Sequence, residues 1–225
     1  MARRTGETVQ DRIVALIHDR RLPPGAAMPT EPQLMDELGA SRNSVREAVR
    51  ALQALGIVEI RHGYGTFVGK ASLDVLSPSL EFHIRSGPKG GIKALHDLVE
   101  VREILEVGLI ARVAGATNGT RLAALDALVT AMKTDIEADR AFHALLYENC
   151  GNDLVLQLID LFWQVYHQVE PVLGAPGGDM EDVVVNHRRI VDALRAQDPA
   201  AAQEAMSRHF TDVKARIAKA EATSS

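Results

Sequence analysis

Four residues in the C-terminal part of the chain are of types that ligate metal ions: Asp139, His143, His187 and His209. Asp139 and His143 are four apart, so on a helix their side chains leave from one face. His187 and His209 fall near the middle of two further stretches with helical periodicity. Imidazole plus carboxylate suits zinc, nickel, manganese or iron rather than calcium. A second set lies near the N-terminus. Arg42, Arg46 and Arg50 recur at i, i+4 and i+8, one stripe on a helix. Arginine grips guanine edges bidentately and neutralises phosphate. Each set has an ordinary alternative: a single helical histidine is more often a packed or surface residue, and a row of arginines can be a solvated face. His18, His83, His96 and His167 are read as such surface or core residues. The surrounding elements must decide.

Around the arginines the pattern is tight. Val9, Ile13, Leu16 and Ile17 mark an amphipathic helix over 9–19, stopped by Leu22-Pro23-Pro24-Gly25. Thr30 is placed to cap a second helix with Glu31 and Pro32 in its first turn and Leu34, Met35 and Leu38 as its apolar face; Gly39 ends it. Ser41 caps a third helix over 42–55, with Val45, Ala48, Val49 and Leu52 inward and the arginines opposite. Two short helices meeting at Gly39-Ala40 predict a helix-turn-helix, whose second member fits the major groove. Residues 57–61 and 66–68 read as strands joined by His62-Gly63-Tyr64-Gly65. Such a hairpin is the wing of a winged helix, and a glycine at its tip lets backbone come close to sugar or phosphate.

Composition sets the bounds. The chain has 225 residues, 46% hydrophobic and 24% charged, with a formal charge of -5. Those values exclude wholesale disorder, collagen-like repeats and a disulfide scaffold. No run approaches the roughly 18 apolar residues of a membrane-spanning helix. The opening Met1-Ala2-Arg3-Arg4-Thr5-Gly6-Glu7 has no apolar core, so it does not read as a signal peptide. One cysteine, Cys150, cannot form an internal bridge, and points to the reducing cytoplasm. It reads as a packed thiol rather than a redox switch. Residues 1–70 carry 10 Lys+Arg against 8 Asp+Glu, whereas residues 71–225 carry 15 against 22. A weakly basic head and an acidic remainder suggest two tasks. The breakers Ser77-Pro78-Ser79 and Gly87-Pro88-Lys89-Gly90-Gly91 make 71–91 the linker, with a short helix at 80–84 that packs on either side.

Residues 92–225 read as all helix. The expected segments are 92–116 (inward face Leu95, Leu98, Val101, Leu105, Leu109), one capped by Thr120 and running to 136, 139–149, 153–173, 180–196, and a last one from Asp198-Pro199 to about 220. An antiparallel helical bundle is the economical architecture, and 134 residues can bury a core. Phe162, Trp163 and Tyr166 form an aromatic stripe assigned to the core or a dimer seam. The fold class expected is therefore mainly α: a winged helix-turn-helix followed by an all-α bundle.

The head motifs Leu22-Pro23-Pro24-Gly25, Pro29-Thr30-Glu31, Leu38-Gly39-Ala40-Ser41-Arg42, Val45-Arg46-Glu47-Ala48, Leu55-Gly56-Ile57-Val58 and Gly63-Tyr64-Gly65-Thr66-Phe67-Val68 resemble the GntR family of bacterial transcriptional regulators. The resemblance implies that Ser41, Arg42, Asn43 and Arg46 lie at DNA, with His62 and Gly63 at the wing tip; Arg50 joins them on the stripe. Pro32 departs from the family, which often has Arg or Lys there. The remainder resembles the FCD effector domain of the FadR subfamily through Val99-Glu100-Val101-Arg102-Glu103-Ile104-Leu105-Glu106, Asp139-Arg140-Ala141-Phe142-His143, Gly151-Asn152, 186–194 and Ala205-Met206-x-x-His209. That implies a divalent metal, zinc first and nickel or manganese next, on Asp139, His143, His187 and His209. It also implies a small carboxylate or sugar-acid effector received by Arg102, with Asn152 lining the pocket. Arg102 alone reads equally as an i, i+4 salt bridge to Glu106, and Asn152 as a turn residue. The connection 132–138 is shorter than is usual in the subfamily, which bears on pocket size.

The expected function is a homodimeric regulator, a repressor, that binds double-stranded operator DNA and is modulated by an organic acid. The rivals are a regulator for which the ion itself is the signal, one whose histidine cluster is purely structural, and a metalloenzyme. The last lacks a general base paired with the site and leaves the winged helix without a purpose.

Overall fold

The computed structural model describes residues 7–87, 91–171 and 180–223, with side chains of 181–219 in the last stretch. It forms two compact units, Met1–Val75 and Leu76–Ser225. The expected loop at 174–178 lies outside the described residues.

In the first unit, α1 (Val9–Asp19) begins at a reciprocal cap in which Thr8 Oγ1 accepts from the Asp11 amide and Asp11 accepts from the Thr8 amide. Next come α2 (Glu31–Leu38) and α3 (Arg42–Ala54). Gln33 Oε1 accepts from the Thr30 amide at 2.8 Å, so side-chain capping starts α2 where the sequence places it. Gly39 ends it at φ +55°, a left-handed conformation that glycine takes without a Cβ penalty. The Arg12 guanidinium donates to the Leu38 carbonyl and ties α1 to that helix end. The hairpin pairs β1 (Val58–Arg61) with β2 (Gly65–Val68), antiparallel, with Val58 opposite Val68 and Arg61 opposite Gly65. Ile13, Leu34, Val45, Leu52 and Val58 are all but inaccessible and form one cluster. Burying each such side chain contributes on the order of 1.5–3 kcal/mol.

The segment 71–91 carries more structure than a plain connector. It holds a 3-10 turn, Leu73–Leu76, and α4 (Ser77–Arg85), which packs against the helix Asp153–Val169. Pro78 sits in the first turn of α4, where its missing N–H is harmless.

The second unit continues with α5 (Ile92–Ala114), α6 (Gly119–Ala131), α7 (Glu137–Tyr147), α8 (Asp153–Val169), α9 (Met180–Arg195) and α10 (Pro199–Thr223). Helix α5 lies between α10 and α8, α6 packs on α7 and α9, and α9 packs on α10. Three expectations need correction. The cap of α6 is Asn118, whose side chain accepts from the Arg121 amide; Thr120 lies inside the first turn. That helix stops at Ala131, and Ile136 is exposed. The inward face of α5 is also not the one expected. Val101 is exposed and Leu105 and Leu109 are half-buried, while Arg102 and Glu106 are buried with Leu95, Leu98, Ile110 and Val113. An acid and a base inside a helical core are the informative exception to apolar interiors.

Candidate functional site

On α3, Val45, Ala48, Val49 and Leu52 are buried, so the helix turns Arg42, Asn43, Arg46 and Arg50 outward, all exposed. Ser41 caps the helix, its Oγ accepting from the Ser44 amide at 3.2 Å. A cleft of about 290 Å³ brings Arg46 and Arg50 together with His62 of the hairpin. Glu31, at the start of α2, stands 3.6 Å from Arg46 Nε. It holds the guanidinium loosely without desolvating it, a contact the sequence did not reveal. His62 and Gly63 form the turn, Gly63 with φ +80°. Tyr64, unassigned from sequence, is 84% exposed there. Arg61 is already committed: it donates to Glu59 at 3.0 Å and stacks over Phe67.

The second constellation is internal. His143 comes from α7, His187 from α9 and His209 from α10. All three are buried, with ligand atoms within 4.8 Å of one another. Asp139, one turn before His143, puts Oδ1 2.8 Å from His187 Nε2 and 3.7 Å from His143 Nε2. The imidazole tautomers follow from the other ring nitrogens. His187 Nδ1 faces the Val183 carbonyl at 2.8 Å, and a carbonyl only accepts, so the proton sits on Nδ1. His143 Nδ1 lies 2.5 Å from Glu106 Oε2, with the same consequence. Both Nε2 atoms are buried without a hydrogen bond. The 2.8 Å approach of Asp139 to His187 lacks hydrogen-bond geometry. Two imidazole nitrogens and a carboxylate oxygen converging in this way are the donor types a shared cation takes. Such a donor set can hold a divalent ion.

Supporting groups surround these donors. Trp163 Nε1 donates to Asp139 Oδ2 at 2.5 Å and leaves Oδ1 to face the histidines. Glu106 carries His143 on one oxygen and Arg102 Nε, at 2.6 Å, on the other; its backbone carbonyl accepts from the Tyr147 hydroxyl. Burial pushes the Glu106 carboxyl up, but His143 and Arg102 outweigh it and hold the pKa below its ordinary value. Burial also opposes ionisation of Asp139, yet contact with His187 and the charges of His143 and Arg102 hold it well down. For His209, burial first and then its two imidazole neighbours depress the pKa well below the usual range, so it stands neutral. A neutral His209 and an ionised Asp139 are protonation states a metal ligand set needs.

A cavity of about 160 Å³ opens beside this cluster, lined by Arg102, Asp139, His187 and His209 among others. Arg102 is buried, and its Nη2 has no partner. The two readings of Arg102 therefore coexist: Nε is paired with Glu106, and another N–H is left for something else. Asn152 is not brought to this cavity. Its Oδ1 accepts from the Leu154 and Val155 amides at the start of α8, where an uncapped helix end requires an acceptor.

Glu106 and Trp163 are functional candidates that the sequence left in structural roles. One available signal was that the Leu95, Leu98, Ile110 and Val113 stripe runs through Arg102 and Glu106.

Known proteins fit this geometry. Residues 5–68 match the description "Bacterial regulatory proteins, gntR family", and residues 97–212 match the FCD domain. Over 217 residues the chain is 30% identical to the uncharacterized HTH-type transcriptional regulator YcbG of Bacillus subtilis, covering 94% of this chain and 89% of that protein. It is 28% identical to a putative L-lactate dehydrogenase operon regulatory protein of Escherichia coli, covering 95% and 86%. Among solved structures, Streptococcus agalactiae GntR superposes with a TM-score of 0.66 at 29% identity, covering 92% of this chain and 97% of that one. A mainly helical chain with a two-stranded wing, a GntR head and an FCD bundle defines a class of transcriptional regulators rather than enzymes. This chain belongs to the GntR family, with an FCD domain. No helix among its described residues is long and apolar enough to cross a membrane.

Proposed function

We propose that this regulator is a cytoplasmic homodimeric repressor whose two heads, residues 1–70, bind half-sites of an operator, and whose residues 92–225, joined through 71–91, bind a small carboxylate or sugar acid beside a divalent ion. Phosphate contacts supply affinity and register, while base contacts supply choice. On α3, Arg46 and Arg50 reach base edges or phosphate, with Ser41, Arg42 and Asn43 at the helix start and His62 and Gly63 at the neighbouring backbone. In the bundle, Asp139, His143, His187 and His209 hold the ion, zinc by preference for tetrahedral nitrogen and oxygen donors. When bound, it supplies Lewis-acid attraction for an anionic oxygen. The effector carboxylate accepts from Arg102 Nη2. Glu106 keeps Arg102 and His143 in place by accepting from both. Effector binding favours one arrangement of the heads over another, with a typical coupling of about 1–3 kcal/mol.

One observation carries this reading: His187 Nε2 and Arg102 Nη2, both buried without a hydrogen bond, line one cavity, and the equally unpartnered His143 Nε2 belongs to the histidine cluster at its edge. Each would cost about 1–3 kcal/mol if nothing ever satisfied it. Elemental analysis of the purified protein, followed by operator footprinting with and without short organic acids, tests the proposal. Stoichiometric zinc and acid-dependent release are expected. Metal-free protein that releases its operator normally with acid would overturn the metal part, and indifference to every acid the effector part.

A further inference from the structure

The three arginines of the α3 stripe are not equivalent. Arg42 and Arg50 have no acidic partner among the described residues, whereas Arg46 Nε stands 3.6 Å from Glu31 Oε1. The two side chains of that pair are 51% and 45% exposed, and a surface pair of this kind adds little to stability. Nor does α2 need Glu31 in order to begin, because the Gln33 side chain already accepts from the Thr30 amide at the helix start. For DNA binding an acid here is a handicap. In a helix-turn-helix the first helix crosses the DNA backbone, and a helix N-terminus attracts phosphate where a carboxylate repels it. Glu31 is the first residue of α2 and lines the same cleft as Arg46, Arg50, Gln53 and His62. A charge that weakens affinity on the binding face calls for a gain elsewhere.

We propose that Glu31 is a positioning residue that gives Arg46 its base selectivity: held at Nε, the guanidinium keeps its two terminal Nη groups as an end-on fork for guanine O6 and N7 and is kept off phosphate. The inference rests on the DNA reading of the head proposed above and adds a division of labour to it. Arginine grips guanine through two parallel N–H groups in one plane, so the guanidinium must be aimed as well as placed. An exposed arginine free to rotate is drawn equally to any neighbouring phosphate, a contact that carries no sequence information. An ionised carboxylate on the Nε side restricts that freedom and repels the competing phosphate, so affinity is given up for discrimination. Arg42 and Arg50, without such a partner, keep the freedom to follow phosphate.

Binding of the full-length protein to two duplexes tests this, one enriched by the wild-type protein from a random library and the other the same sequence scrambled. Glu31→Ala is expected to bind the scrambled duplex tighter and the enriched one weaker. The ratio of the two affinities should fall at least about tenfold, within what one bidentate contact per half-site supplies. For the scrambled duplex, the slope of log affinity against log salt should steepen by about one for each head, as Arg46 becomes a phosphate contact. Glu31→Asp keeps the charge but falls one methylene short of Arg46, and its ratio should drop nearly as far. In an Arg46→Ala background neither change should alter the ratio. Unchanged melting temperatures check the fold. A ratio and salt slope unaffected by Glu31→Ala, a ratio preserved in Glu31→Asp, or an equal loss in the Arg46→Ala background overturns the positioning role while leaving the DNA reading intact. A wild-type protein that enriches no sequence overturns both.

Discussion

The head and the bundle place their polar chemistry on opposite sides of the surface. In the head, the core is wholly apolar and every group proposed to act, from Ser41 to Gly63, is exposed. In the bundle, Arg102, Glu106, His143, His187 and His209 are inside. On the function proposed, the difference follows from the size of what each region addresses. A DNA duplex is larger than the domain and is met with an outer stripe of permanent charge. A small anion must be taken out of water, where a few fixed donors act in low dielectric and each interaction counts for more. Changes to exposed head residues should accordingly alter binding and spare stability, whereas changes inside the bundle should alter both.

The sharpest test of the first half is Arg46→Ala. Its guanidinium is half-exposed and only loosely held by Glu31, so its removal should cost the fold no more than about 0.5 kcal/mol, the usual range for surface substitutions. Loss of a bidentate base contact costs about 1–3 kcal/mol per half-site, and a dimer loses two. Specific operator affinity should fall at least about thirtyfold, with the melting temperature unchanged. An unchanged footprint, or a loss of helicity accompanying the loss of binding, would break the contrast between the two regions.

For the second half the counterpart is His187→Ala. Here metal content should drop from stoichiometric to trace. Because the ring is fully buried against Phe142 and His209, stability should fall too, by about 2–5 kcal/mol if the cavity behaves like those left by large-to-small core changes. Unaltered metal stoichiometry by elemental analysis would remove His187 from the proposed ligand set.

How much of this was legible in the sequence also differs between the regions. In the head, a period of 3.6 put Val45, Ala48, Val49 and Leu52 on one side of α3 and the arginines on the other, and the glycines of the wing marked its turn. Local rules sufficed because the groups concerned are neighbours in sequence or sit on adjacent short elements. In the bundle, only the Asp139–His143 pair was local. His187 and His209 were joined to it through family resemblance, since nothing in spacing shows that α7, α9 and α10 converge. The face of α5 was misjudged because that helix is covered by both α10 and α8, and a helix contacted on two sides carries two overlapping apolar stripes. Choosing the more hydrophobic stripe put Val101 inward and hid Arg102 and Glu106.

Groups that orient ligands should show smaller effects than the ligands. Glu106→Gln keeps one acceptor oxygen but cannot serve both His143 and Arg102, and outer-shell losses of this kind lower metal affinity about 10- to 100-fold. Trp163→Phe removes a single N–H from Asp139 and belongs at the lower end of that range. Competition with a chromophoric chelator measures both. If Trp163→Phe lowers stability but leaves affinity as it was, Trp163 is a packing residue, and the interior is less committed to ligand orientation than the contrast between the regions requires.

The smallest effect concerns protonation, and it too separates the regions. Arginines of the head stay charged at any working pH, whereas burial raises the Glu170 pKa above its ordinary value, against the Tyr166 hydrogen bond and the charge of Arg216. A raised carboxyl contributes stability that is fully present below the unfolded pKa of about 4.3 and is lost as pH rises through the higher folded value. At neutral pH the ionised Glu170 therefore weakens the folded bundle. Glu170→Gln removes that charge while keeping an acceptor for Tyr166. It should raise the melting temperature at pH 7.5 by about 1–2 °C, as expected for a fraction of a kcal/mol in a chain this long. The gain should shrink toward nothing near pH 4, where wild-type Glu170 is protonated as well. Scanning calorimetry at the two pH values checks this. An equal gain at both would trace the effect to packing, because only a titrating group can make it depend on pH.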